Sequence, residues 1–230
     1  MDEILIDFNR LTNPERAKHS LRFFKTGKGE YGEGDKFLGL TVPQQRQISV
    51  NYKNFSIEEL QKLIKSEYHE HRLTALFILV NRFRKSKSSE ERGKLITFYI
   101  KNTKYINNWD LVDSSANILG QHLFDKDRKI LYELAKSKNF WEQRIAIIAT
   151  SYFINNSQFE DTLKISEILL HHKHDLIHKA VGWMLREVGK KDLDTLLKFL
   201  DKYHKEMPRT MLRYSIEKLP EIQRQHYLKK

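Results

Sequence analysis

The segment Asn108-Trp109-Asp110-Leu111-Val112-Asp113 sets an indole and a carboxylate four residues apart, the spacing that brings two side chains onto one helix face. Asp113 stands where comparable apolar helices of the same chain begin with a cation: Arg72, Arg144, Lys179 and Arg209. In a protein of formal net charge +11, one anion beside an indole and among cations is suited to holding a positive charge next to a polyanion. The chemistry expected of such a site is on nucleic acid. Trp183, four residues after Lys179, repeats the indole spacing, and Trp141, three before Arg144, is a further candidate for the same surface.

The elements that must position these residues are helices. Apolar residues recur at three and four spacing from end to end, broken by short polar turns, and no segment keeps a two-residue alternation. Helix starts are marked by Asn13-Pro14, by the capping boxes Ser56-Ile57-Glu58-Glu59 and Ser88-Ser89-Glu90-Glu91, and by Pro43, Pro208 and Pro220. The five helices around Arg72, Asp113, Arg144, Lys179 and Arg209 resemble one another at intervals of about thirty to forty residues, the period of two-helix repeats. The expected fold is all-α, a curved α-solenoid of HEAT-like helical repeats forming one domain over residues 1–230, with an independently packed α-bundle as the alternative. The four cations would then line a track for successive phosphates, interrupted by Asp113.

Five of the nine glycines fall between Thr26 and Gly39. The run Gly27-Lys28-Gly29-Glu30-Tyr31-Gly32 matches a dinucleotide fingerprint in letters, but it follows a helix with no βαβ unit around it. It is expected instead to be a flexible loop or small hairpin, inserted at about residues 26–39, that carries Lys28, Tyr31 and Lys36 toward DNA.

Composition narrows the function classes. With no cysteine there is no disulfide framework, thiolate nucleophile or Cys-ligated zinc. The acidic start Met1-Asp2-Glu3 is unlike a secretory signal, and no apolar run reaches the length of a membrane span, so a cytoplasmic, non-membrane protein is expected. His171-His172-Lys173-His174 with His178 lacks an acidic third ligand at metalloenzyme spacing and is flanked by lysines, so neither a metal nor any other cofactor is called for. Phosphate-loop, serine-elbow and HExxH patterns are missing.

Three segments carry a family resemblance: Asn108 to Asp113, then Phe140-Trp141-Glu142-Gln143-Arg144, then Lys179 to Glu187, preceded by Gly39-Leu40-Thr41-Val42-Pro43-Gln44-Gln45-Arg46. In this order and spacing they resemble the AlkD-type DNA alkylation repair enzymes, HEAT-like-repeat glycosylases that remove N3- and N7-alkylated purines. The resemblance implies that Trp109, Asp113 and Trp183 form a catalytic trio, with Arg144 contacting DNA beside it. It also implies that the lesion's sugar is held against the indoles without extrusion of the base into a pocket. Arg46, Arg72, Lys179, Arg209, Trp141, Lys28 and Tyr31 complete the expected DNA-binding set, and the partner is duplex DNA bound by a monomer.

The chemistry fits the residue types. A cationic alkylpurine is already a good leaving group, so the carboxylate of Asp113, kept ionised by nearby cations, mainly stabilises the developing oxocarbenium sugar and orients water. The indoles attract the cationic nucleoside. Two departures from the family pattern, the long glycine-rich connection and Phe23 where a tyrosine is expected, leave a rival reading: a non-catalytic relative that binds branched or distorted DNA. A protein-binding α-solenoid is the third class, and predicts binding that depends only weakly on salt.

Overall fold

The computed structural model describes residues 1–229, and the chain is all-α as expected. Among the described residues there is no β-strand, only an isolated bridge between Lys36 and Tyr68. The chain condenses into two compact units, Met1–Ser115 and Ala116–Lys230. The first holds α1 (Asp2–Arg10), α2 (Pro14–Phe23), α3 (Val42–Asn51), α4 (Ile57–Ile64), α5 (His69–Lys85), α6 (Ser89–Lys101) and α7 (Trp109–Ser115). The second holds α8 (Asn117–His122), α9 (Lys129–Ala135), α10 (Phe140–Ala149), α11 (Ser151–Asn155), α12 (Glu160–Ile168), α13 (Asp175–Lys191), α14 (Leu193–Tyr203), α15 (Arg209–Ser215) and α16 (Glu221–Leu228). No helix among the described residues is long and apolar enough to cross a membrane.

Local capping chemistry sets several of the starts. Asn13 accepts from the Arg16 N–H ahead of Pro14, and Ser56 with Glu59 makes a reciprocal capping box. A second reciprocal box, Thr41 with Gln44, opens α3 and places Pro43 within its first turn. The expected box at Ser88 is only half made. Ser88 accepts from the Glu91 N–H, but the Glu91 carboxylate is engaged 2.5 Å away by Arg82.

In the first unit α5 is the central element, buried without a break from His69 to Val80 and packed by α3, α4 and α7. The glycine-rich connection from α2 to α3 runs against its start as a chain of turns, not a hairpin. Glu70, 2% exposed on α5, accepts the backbone N–H groups of Leu38, Gly39 and Leu40, so the end of the connection is tied to the core. Gly39 is required there. Its φ is +83°, and a Cβ would lie 2.1 Å from the carbonyl oxygen of Asn13.

In the second unit the helices singled out by their sequence similarity are neighbours, α10 packing on α13 and α13 on α15. Close approach of backbones makes α8 fit α10: a Cβ on Gly120 would lie 2.0 Å from the Ala149 carbonyl oxygen. Gly120→Ala is therefore expected to destabilise this unit by about 1–3 kcal/mol, since the obstruction is backbone and cannot rotate away. Urea unfolding checks this, and an unchanged midpoint would contradict the tight α8–α10 packing.

Candidate functional site

Trp109 opens α7, where the Asn108 side chain accepts its backbone N–H at 2.9 Å. Asp113 follows one turn later on the same face, and both side chains are half-buried. The charge of Asp113 reaches the buried Tyr99 hydroxyl on α6. Burial first, and that carboxylate in addition, push the Tyr99 pKa upward against the opposing hydrogen bond to Ser115.

Trp109 is held from the side by two phenylalanines that close α2. Its ring stacks on Phe24 at 5.7 Å and 24° and meets Phe23 at 6.0 Å and 68°. Phe24 in turn lies 5.1 Å from Phe37 and 4.7 Å from the imidazole of His69, which also stacks on Phe37 at 4.9 Å.

Beneath these rings runs a line of charges. His69, 1% exposed, holds Asp110 of α7 through Nε2 at 2.8 Å and Asp35 through Nδ1 at 3.4 Å. Arg72 closes the line, 2.7 Å from the other Asp35 oxygen, and donates to the Ser66 carbonyl at 2.9 Å. Burial pulls the His69 pKa down, but the charge and hydrogen bond of Asp110, joined by the bond to Asp35, reverse this and raise it to about 9. Asp35 shows the mirror effect: burial raises its pKa, and His69 and Arg72 more than compensate, leaving it lowered. A cationic imidazole between two carboxylates thus pins the residue next to Trp109, while the ring it leans on buttresses the indole.

The residues of the expected phosphate track lie in different settings. Arg72 is 4% exposed and paired with Asp35 within the core of the first unit. Arg144 is 5% exposed and donates to the Leu176 carbonyl, tying α10 to the start of α13. Trp141 is 5% exposed and packs on Phe140 at 4.3 Å, as a core indole. Lys179 is half-buried, 2.7 Å from Asp175, with the half-buried Trp183 one turn further along α13. Arg209 is exposed and donates to the Leu228 carbonyl at 3.0 Å, and Arg46 is exposed with its guanidinium 4.2 Å from the Phe77 ring centroid. In the glycine-rich connection Lys28 is exposed, Tyr31 half-buried, and Lys36 paired with Glu67 at 2.8 Å. Of the histidines near α13, His174 caps the helix by accepting from the Leu176 N–H.

His69, Asp110, Asp35 and Phe24 were not foreseen. Only Asp110, an acid directly after the candidate indole, carried a local signal, because the partners lie 41 and 34 residues apart along the chain.

An all-α protein with an indole and a carboxylate on one helix face, braced by aromatic rings over a buried ion network, is the class defined by these features. The chain belongs to the DNA alkylation repair enzyme family, which matches it over residues 4–219. A solved structure described as a predicted DNA alkylation repair enzyme from Enterococcus faecalis is similar in fold, with a TM-score of 0.70 at 17% identity, covering 91% of this chain and 97% of that one. No curated protein matches the sequence.

Proposed function

We propose that the protein is a monofunctional DNA glycosylase that releases cationic N3- or N7-alkylated purines from duplex DNA, with Asp113 as the carboxylate facing the reacting sugar. The observation that carries this reading is the rigid seat of Trp109: the stack on Phe24 and the His69–Asp110 bond fix the start of the helix that also bears Asp113. In the reaction the C1′–N bond breaks heterolytically, and its electron pair neutralises the alkylated ring. As the bond breaks, positive charge grows on the sugar, where the Asp113 carboxylate stabilises it until water adds at C1′ and passes its proton to that carboxylate. Trp109 offers an electron-rich face to the cationic nucleoside, an attraction of about 0.5–2 kcal/mol. Trp183 of the second unit keeps the role that the family resemblance gives it.

Incubation with duplex DNA bearing 7-methylguanine or 3-methyladenine, followed by measurement of free base, tests the proposal. Release is expected from both lesions and not from undamaged DNA. Tight binding to a four-way junction without any base release would favour the non-catalytic DNA-binding alternative.

A further inference from the structure

Helix α2 has an unusual balance for a helix of a folded protein. None of its ten residues is buried, yet it exposes Leu21 and Phe23, the latter 55% open. Phe23 is also the ring that meets Trp109 at 6.0 Å, so the exposed aromatic surface is continuous with the candidate site. Beside it lies a cleft of 450 Å³ lined by His19, Arg22, Phe23, Lys25 and Glu30. Its one acid is already engaged, since Glu30 accepts the Gly27 N–H at 2.8 Å. Lys25 is held in the left-handed region, at φ 54°, by the bond from the Gly32 N–H to its carbonyl at 3.0 Å. This is the left-handed residue of a helix-ending turn, closed also by the Thr26 N–H to the Leu21 carbonyl at 3.2 Å, and it sets Lys25 at the mouth of the cleft.

An exposed aromatic ring next to a cationic cleft has the chemistry of a nucleotide subsite. The base stacks on the ring and the phosphate pairs with the cations, an arrangement that single-stranded nucleic-acid binders repeat along a groove. We propose that α2 and the turn after it take one unpaired nucleotide of the DNA substrate, its base against Phe23 and its phosphate against Arg22 and Lys25. The subsite deepens the glycosylase reading and rests on it for its biological purpose. It predicts that this protein prefers DNA in which one nucleotide next to the bound sugar is free of its partner.

The test is fluorescence anisotropy on two undamaged labelled DNAs, a fully paired duplex and the same duplex with a single unpaired nucleotide. The native protein is expected to prefer the second. Phe23→Leu keeps an apolar side chain against Trp109 but removes the ring, and is expected to weaken binding of the bulged duplex about tenfold more than binding of the paired duplex. Phe23→Tyr is expected to retain the preference. The double variant Arg22→Gln/Lys25→Gln is expected to make log affinity less steeply dependent on log salt, by about one for each phosphate that the protein no longer neutralises. Equal weakening of both DNAs by Phe23→Leu, or no weakening of either, overturns the subsite. An unchanged salt slope overturns its phosphate half. Because these DNAs carry no lesion, base release by the same protein from a separate duplex bearing 7-methylguanine is an independent readout: its absence would remove the glycosylase reading and leave the binding preference standing.

Discussion

Asp113→Asn is expected to lower the single-turnover rate of base release by on the order of 10²–10³-fold while leaving affinity for the same lesion-bearing duplex nearly unchanged. The substitution keeps the size and hydrogen-bonding reach of the side chain but removes the negative charge. The ground-state nucleoside is held largely by groups that remain, including the indole of Trp109, seated 5.7 Å from Phe24. The transition state alone places full cationic character on the sugar, so only it depends strongly on the carboxylate, and losing one preorganised electrostatic partner of this kind costs about that factor. Free-base release under enzyme excess gives the rate, and anisotropy gives the affinity. Turnover equal to that of the native protein would assign Asp113 to the structure of α7 instead.

The second large effect is on stability. His69→Leu leaves Asp110 without its cation and Asp35 with Arg72 alone, and removing one partner from a buried ion network in this way costs about 3 kcal/mol or more. The effect depends on pH. A folded-state pKa raised to about 9 means that His69 contributes its stabilisation in full below its ordinary value of 6.5 and loses it as pH rises through 9. The gap between the native protein and His69→Leu should therefore be widest near pH 6 and close by pH 10, as read from urea midpoints. His71 acts in the other direction. Burial first, and then the Arg72 charge, lower its pKa to about 4, so its neutral form favours the fold above 6.5 and that contribution is lost as pH falls toward 4. The native protein is thus expected to lose stability on both sides of neutrality, with the alkaline loss missing in His69→Leu. A constant gap across pH would show that the imidazole is not the charged centre of the network.

Sequence patterns were sufficient where the controlling chemistry is local. Asn13 and Ser56 start helices because a cap needs only residues within one turn, and the recurrence of α10, α13 and α15 was visible because each repeats the same apolar spacing. They were insufficient where a side chain's fate is set by a distant partner. Arg72 has the spacing of a phosphate ligand, yet its acid is Asp35, far back in a glycine-rich turn with no periodicity to connect the two. Arg144 is likewise turned inward to the Leu176 carbonyl. The pairing of Trp109 with Asp113 on one helix face was legible from a four-residue interval, whereas the Phe24 and His69 supports beneath the indole were not, because they come from the end of α2 and from α5.

Helix α2 borders Trp109 and yet contributes nothing to the interior. Substitutions along it, apart from Phe23 beside the indole, are consequently shielded from the usual penalty of core exchange, which ordinarily confines evolutionary drift near functional centres. Descendants of this sequence have room to retune which distorted strands they accept by altering the outward residues of that one helix, while the fold and its chemical group are inherited intact.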